Sequence, residues 1–124
     1  MKKILIVADD ASTKCASIIE ECIKRGIQVE TTTFKDLTIQ KVYQVNGLIL
    51  DRGQITYLDG EPLWCECDQI LREMEIRNYR TPSLIISEVG THSNYVFVRN
   101  RIEAWDEQNK KFLAFLKEIE WSVY

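Results

Sequence analysis

The stretch K-I-L-I-V-A-D-D, residues 3–10, decides the fold that this chain adopts. It is a run of apolar residues that stops abruptly at two aspartates. A second run of the same kind, G-L-I-L-D, occupies residues 47–51. Apolar runs of this length, with a segment of helical periodicity between them, are typical of parallel strands that are buried on both faces. The sequence therefore predicts an α/β fold around a parallel sheet.

Strand and helix patterns alternate along the rest of the chain. The predicted order is strand 3–8, helix to about residue 25, strand 28–33, helical turns 34–45, strand 47–51, helix 63–78, strand 83–87, strand 95–98 and a final helix. This order favours a flavodoxin-like three-layer sandwich, residues 1–124 as a single domain, with a five-stranded parallel sheet of order 2-1-3-4-5. The connection before the fifth strand is short, so the helix between strands four and five is predicted to be shortened or missing.

Capping residues predict where two of the helices begin and end. Asp10 or Ser12 precedes the first helix, and Gly26 follows it at the position of a left-handed C-cap. Asn100, with Glu103 three residues later, is a capping arrangement for the final helix. We expect that helix to bury one apolar face, which consists of Ile102, Trp105, Phe112, Phe115, Leu116 and Ile119.

Residues 54–64 form an insertion after the third strand. Asp59-Gly60 is a turn signal, and residues 54–58 before it alternate between apolar and polar. The insertion is therefore predicted to be a β-hairpin or a long ordered loop. Its apolar side, which includes Tyr57 and Trp64, needs a surface to cover it, and the chain around Trp121 is also aromatic. These patterns predict a homodimer or a protein partner, bound through the insertion or the C-terminal helix.

Composition argues against several classes of function. The 124 residues carry a formal net charge of −3 and a pI near 5.2, so no nucleic acid or anionic membrane is predicted as a partner. No window of the sequence approaches the roughly 20 apolar residues of a membrane span, and the expected location is the cytoplasm. Cys65 and Cys67 form a C-x-C pair, but there is no second pair and the only histidine, His92, is distant. No cysteine-based metal site is predicted.

Three carboxylates follow the ends of two predicted strands: Asp9 and Asp10 after the first strand, and Asp51 after the third. In the order 2-1-3-4-5 these strands are neighbours, so their carboxyl ends open onto one crevice. Clustered carboxylates repel one another, and a bound Mg²⁺ would offset that repulsion. Asp9, Asp10 and Asp51 are therefore candidate Mg²⁺ ligands. The alternative is that they are solvated strand ends, with Asp10 as a helix cap.

The first half of the chain resembles the receiver domain of response regulators. The resemblance rests on M-K-K-I-L-I-V-A-D-D at residues 1–10, K-R-G-I-Q-V at 24–29 and G-L-I-L-D at 47–51. P-S-L-I-I-S at residues 82–87 is similar to the fourth receiver strand. The resemblance implies that Asp51 is the phosphoacceptor, Asp9 a Mg²⁺ ligand and Ser87 the hydroxyl that senses the phosphoryl group.

Two departures from the receiver pattern concern the chemistry. Ala8 occupies the position of the first acid in the receiver's acidic pair, although Asp10 partly restores the charge. Receivers carry Lys-Pro after the fifth strand, where this chain has Arg99-Asn100, and Arg lacks the compact ammonium of Lys. The resemblance with these departures implies a degenerate receiver, which is a regulatory or protein-interaction module that has lost phosphotransfer.

A second resemblance indicates a different class of protein. R-G-I-Q-V at residues 25–29 and W-C-E-C-D at 64–68 are similar to Toll/interleukin-1 receptor domains and to the related nucleoside deoxyribosyltransferases. That resemblance implies an N-glycosidase or transferase acting on a nucleoside or NAD. The carboxylate of Asp68 would attack or stabilise the ribose, with Asp59 and Trp64 lining the pocket. A third hypothesis is that the sheet serves only as a structural oligomerisation domain.

Overall fold

Strands and helices alternate along the chain in a computed structural model that describes residues 2–10, 15–53, 57–58, 61–62, 66–87, 98–102 and 110–121. Within these residues the strands are β1 (Lys3–Val7), β2 (Gln28–Thr32), β3 (Gly47–Gly53), β4 (Tyr57–Leu58), β5 (Glu61–Pro62), β6 (Ser83–Ser87) and β7 (Val98–Ile102). The helices are α1 (Ala16–Lys24), α2 (Ile39–Tyr43), α3 (Glu66–Ile76) and α4 (Lys110–Glu120).

The central sheet has five strands in the order β2-β1-β3-β6-β7. Every neighbouring pair in it is parallel. Counted along this sheet, the order is 2-1-3-4-5, which confirms the predicted topology. The interior strand β1 lies between β2 and β3, so Ile6 pairs with Thr31 on one side and with Ile49 on the other.

Alternate residues of the central strands point to opposite faces of the sheet, and helices cover both faces. Ile4 and Ile6 pack on one face against residues of α1 and α4. Leu5 and Val7 pack on the other face against residues of α2 and α3. The layers are therefore helix, sheet and helix, as the sequence predicted, and the unbroken apolar run of β1 is explained by burial on both sides.

Helix α1 begins later than the sequence predicted. Its N-cap is Cys15, which makes no side-chain cap hydrogen bond. Asp10 lies in an exposed turn, so the prediction that it caps the helix is wrong, and Ser12 lies outside the described residues. The helix starts where its buried stripe starts, because Cys15 is itself part of the core. At the other end Gly26 has a φ of +77°, which confirms the predicted left-handed C-cap.

The cysteines that the structure describes are core residues. Cys15, Cys22 and Cys67 are free thiols, and all of them are buried. Burial, followed by the negative charge of Glu21, raises the pKa of the Cys22 thiol to about 12. Cys22 is therefore protonated at neutral pH and behaves as a small apolar side chain.

The insertion after β3 contains a short antiparallel pair. Strand β4 pairs with β5, so that Tyr57 lies opposite Pro62 and Leu58 lies opposite Glu61. The turn signal Asp59-Gly60 connects the two strands. Of the two predicted forms, the insertion therefore takes that of a hairpin. Trp64 lies outside the described residues.

The fifth strand of the sheet lies later in the chain than the sequence predicted. The prediction was residues 95–98, whereas β7 spans Val98–Ile102 and residues 95–97 lie outside the described ranges. Asn100 pairs with Leu84 of β6, so the prediction that Asn100 and Glu103 cap the final helix is wrong. An edge strand is positioned by the strand beside it, and the apolar run before Arg99 was therefore a poor guide to its bounds.

The helices are shorter than their predicted segments. The prediction that Ile102 lies on the buried face of the final helix is wrong, because Ile102 is the last residue of β7, and Trp105 lies outside the described residues. In α4 the buried residues are Phe112, Phe115, Leu116 and Ile119. The N-cap of α2 is Thr38, whose side chain accepts a hydrogen bond from the backbone N–H of Lys41. Residues 88–97, where the shortened or missing helix was predicted, lie outside the described ranges. Among the helices that the structure describes, none is long and apolar enough to cross a membrane.

Candidate functional site at the carboxyl edge of the sheet

The strand register places Asp51 beside the end of β1. Val7 pairs with Leu50, so Asp51 is level with Ala8, and Asp9 follows one residue later. The backbone N–H of Ala8 donates to the carbonyl of Thr32 at 3.0 Å, which fixes the end of β1 in the sheet. Asp9 and Asp51 therefore lie at the same edge of the sheet, as the predicted strand order requires.

The aspartates at this edge differ in exposure. Asp9 and Asp10 are exposed in the turn after β1, whereas Asp51 is half-buried at the end of the apolar part of β3. Among the described residues, no group of three His, Cys, Asp or Glu side chains lies close enough together to hold a metal ion. Asp9, Asp10 and Asp51 are thus not drawn together as a group of three in the described residues, and a Mg²⁺ site at this edge stays a prediction from the sequence.

Ser87 lies on the strand next to Asp51, with an irregularity between them. Asp51 pairs with Ile86, and Gly53 pairs with Ser87, so Arg52 is an extra residue in the ladder of β3. A bulge of this kind bends the strand and redirects the residues beside it. The backbone thus brings Asp51 and Ser87 to neighbouring positions on adjacent strands. The bulge was not predicted from the sequence, where the Arg52-Gly53 pair after the apolar run was its only local signal.

Arg99 lies away from the level of Asp51. Ile86 pairs with Asp51 on one side and with Ile102 on the other, so these residues are level across the sheet. Val98 pairs with Ser83 and Asn100 with Leu84, so Arg99 is an extra residue between them. Its backbone is therefore displaced from the level of Ile102 toward the amino edge by two to three residue rises, about 7–10 Å. Arg99 was predicted to follow the fifth strand, and that prediction is wrong because Arg99 is the second residue of β7.

Asp68 lies in the first turn of α3, directly after the buried Cys67, and its side chain is half-buried. The residues that the second resemblance places around it, Asp59 and Trp64, lie outside the described residues. The hypothesis of a ribosyl-cleaving site at Asp68 therefore stays a prediction from the sequence.

A groove that was not predicted from the sequence lies beside α1, at the β2 edge of the sheet. An open groove of about 450 Å³ runs between α1 and the edge strand β2, and it is lined by Ile19, Ile23, Gly26, Ile27, Gln28, Val29 and Thr31. Ile23 is 63% exposed there. The available signal was that Ile19 and Ile23 extend the apolar stripe of α1 beyond its buried residues, Ile18 and Cys22.

Comparisons with known proteins give a fold and no family assignment. No protein-family model matches the sequence, and no curated protein matches it. Among solved structures, the response regulator TrrA of Thermotoga maritima, crystallised with Mg²⁺ and beryllofluoride, matches with a TM-score of 0.65 at 14% identity. That match covers 96% of this chain and 99% of TrrA.

Two further structures are similar over almost the whole chain. A CheY-like receiver domain protein of Methanospirillum hungatei has a TM-score of 0.63 at 19% identity, covering 97% of this chain and 94% of the other. The chemotaxis protein CheY4 of Vibrio cholerae has a TM-score of 0.60 at 15% identity, covering 96% and 98%. This chain therefore has the fold of a response-regulator receiver domain.

Proposed function

We propose that this chain is a regulatory protein-interaction domain that uses the receiver fold without phosphotransfer. The observation that carries the proposal is the register of β7. Arg99, which the resemblance aligns with the lysine after the fifth receiver strand, lies instead within β7, and its backbone is displaced toward the amino edge from the level of Asp51. A phosphoryl group on Asp51 needs a neighbouring cation to balance its charge, and the backbone of Arg99 is set back from the level of Asp51.

The residues at the end of β1, where receivers carry their acidic pair, support the same proposal. Ala8, where the receiver pattern has its first acid, is only 3% exposed and packs in the core. Asp9 and Asp10 are exposed in the turn, and they do not join Asp51 in a group of three ligands. A divalent cation at this edge would therefore be held by fewer carboxylates than the resemblance implies, and its affinity would be low.

Exposed apolar side chains support the interaction part of the proposal. Ile23, Tyr43, Ile76 and Trp121 are all 63% to 83% exposed. The ring of Tyr43 lies 5.0 Å from that of Tyr79, so two aromatic side chains share one surface. Tyr and Trp are favoured anchors of protein interfaces. A regulatory domain that acts by binding other chains would need surfaces of this kind.

The test is an NMR titration of the full chain with Mg²⁺ and beryllofluoride, which mimics a phosphoryl group on aspartate. We expect no saturable shift of the amide signals of Asp51, Arg52 and Ser87 in the native protein. Asp51→Asn is the matched control, because it keeps the side-chain shape and removes the acceptor charge. A phosphorylatable receiver, titrated in parallel, confirms that the reagent is active.

Two results would contradict the proposal. A saturable shift around Asp51 that disappears in Asp51→Asn would show that the acceptor chemistry is retained. Release of free base from NAD or a nucleoside, abolished in Asp68→Ala, would replace the proposal with the glycosidase hypothesis. Loss of a nucleophile or charge-stabilising group typically lowers turnover by more than about a hundredfold, so such an activity would be easy to assign.

A further inference from the structure

Strand β2 is an edge strand whose outer backbone groups point away from the sheet. The N–H of Gln28 donates to Lys2 at 2.9 Å, and the carbonyl of Thr32 accepts from Ala8 at 3.0 Å. Even-numbered residues of β2 therefore direct their backbone groups toward β1. Since successive residues of a strand alternate, Val29 and Thr31 direct their N–H and C=O groups toward the open edge.

The open edge of β2 adjoins an apolar surface. The side chains of Val29 and Thr31 lie on the sheet face that α1 covers, because Val29 packs against the core cluster that contains Ile18. Together with Ile19 and Ile23 they line the groove of about 450 Å³ between the helix and the strand. A strand that joined this edge would gain backbone hydrogen bonds and an apolar cover at the same time.

Two opposite charges lie one helical turn apart on α1, and each directly follows a residue that lines the groove, Ile19 or Ile23. Glu20 and Lys24 are both exposed on α1. Neither takes part in an ion pair within the part of the chain that the structure describes; the nearby Arg25 bonds instead to Glu21 and Glu120. A symmetric partner that ran antiparallel to α1 would bring its own Lys24 beside Glu20, and its own Glu20 beside Lys24.

We propose that two copies of this chain dimerise by antiparallel pairing of their β2 strands about a two-fold axis at Val29. In this register Val29 faces Val29 of the second copy. The backbone N–H of Thr31 in one copy donates to the backbone carbonyl of Ile27 in the other. Helix α1 runs antiparallel to β2, as the crossover between two parallel strands must, so the two α1 helices run antiparallel on one face. The groove of each copy then receives Ile23 of the other.

The charges of β2 favour a second copy in this register. Gln28 lies opposite Glu30 of the second copy, so no two like charges face each other across the strands. Glu30 is already paired with Lys3 at 2.9 Å on the face away from α1. The strand at the other edge of the sheet, β7, contains Arg99 and Arg101. Two copies paired through β7 would bring these positive charges together, and the charges would repel. The interface is isologous and closes as a dimer.

The test is the mass of the full chain by sedimentation equilibrium from about 1 to 500 μM. We expect a concentration-dependent dimer. Glu20→Lys should raise its dissociation constant by about tenfold, because two symmetry-related attractions become repulsions. The double variant Glu20→Lys with Lys24→Glu should restore the native constant, since the pair is only reversed. Glu75→Lys, an equal charge change on an exposed position of α3, should leave the constant unchanged.

A second pair of variants tests the backbone pairing between the two β2 strands. Thr31→Pro removes an N–H that points to the open edge, and we expect a folded monomer by circular dichroism and sedimentation. Thr31→Val keeps that N–H and should remain dimeric. A monomer at every concentration would overturn the proposal. So would a dimer that persists in Glu20→Lys and Thr31→Pro, since it would then form through another surface, such as the hairpin or the chain end at Trp121. Neither outcome affects the proposed loss of phosphotransfer, which the titration with Mg²⁺ and beryllofluoride tests separately.

Discussion

Gly47 shows how a single residue limits the approach of a helix to the sheet. It opens β3 beneath α4, and a Cβ added there would overlap Cδ1 of Ile119 and lie 3.2 Å from Cζ of Phe115. The constraint is therefore one of space. Gly26 is constrained differently, because a Cβ there meets nothing within 4 Å while its φ of +77° disfavours any side chain.

We predict that Gly47→Ala lowers the free energy of unfolding by about 1–3 kcal/mol, since the added methyl overpacks a buried contact. Ile119→Val removes the Cδ1 atom that the methyl would strike. The double variant should therefore be less destabilised than the sum of the two single variants. Urea denaturation of the four proteins measures this coupling. Simple additivity of the two costs would show that the clash with Ile119 does not account for the requirement for glycine.

At the level of secondary-structure elements, one arginine links two helices that cover the same face of the sheet. Nε of Arg25 lies 2.9 Å from Oε1 of Glu21 in α1, and its Nη1 lies 3.2 Å from Oε1 of Glu120 in α4. These hydrogen bonds, first to Glu21 and then to Glu120, raise the pKa of Arg25, whose guanidinium is charged throughout the neutral range. Helices α1 and α4 are thus joined at their carboxyl ends by polar contacts as well as by the core.

We predict that Arg25→Met destabilises the protein by about 1 kcal/mol in low salt and by less in high salt, because the side chain is partly exposed and its pairs are screened. Arg77→Met is the matched control. Arg77, just after the end of α3, forms its ion pair with Glu73 of that same helix, so its loss removes no ion pair between elements among the described residues. Thermal denaturation at two salt concentrations checks both. An equal loss in the two variants would mean that the contact with Glu120 contributes nothing.

Across the whole molecule, two core clusters share the same central strands. Leu116 belongs to the cluster on the α1–α4 face, and Met74 belongs to the cluster on the α2–α3 face. Adjacent residues of β1, such as Ile4 and Leu5, supply one cluster and then the other. Disruption of either cluster should therefore loosen the strands on which the other depends.

We predict that the chain unfolds in one cooperative transition, as a single domain would. Met74→Ala and Leu116→Ala should each lower the stability by about 2–5 kcal/mol through loss of buried contacts and cavity formation. Both variants should shift the same transition when it is followed by calorimetry and by circular dichroism. Two transitions, each responding to only one variant, would show that the two faces of the sheet are independent units.

The sequence by itself determined the layers and the strand order. Apolar runs buried on both faces and the helical spacing of residues such as Ile18 and Cys22 are local signals, because the periodicity of burial repeats within each element. The placement of Asp9 and Asp51 at one edge followed from the strand order alone. The sequence was less informative at polar boundaries, where Cys15 rather than Asp10 begins α1.

Only the tertiary structure decided the position of β7, the bulge at Arg52 and the exposed groove beside β2. Each of these depends on pairing between residues far apart in the chain: β7 is positioned by its ladder with β6, and Arg99 is thereby displaced from the level of Asp51. A one-residue change of register exchanges the faces of a strand without changing its composition. For that reason the sequence indicated which edge carries the candidate site, whereas the register decided which side chains meet there.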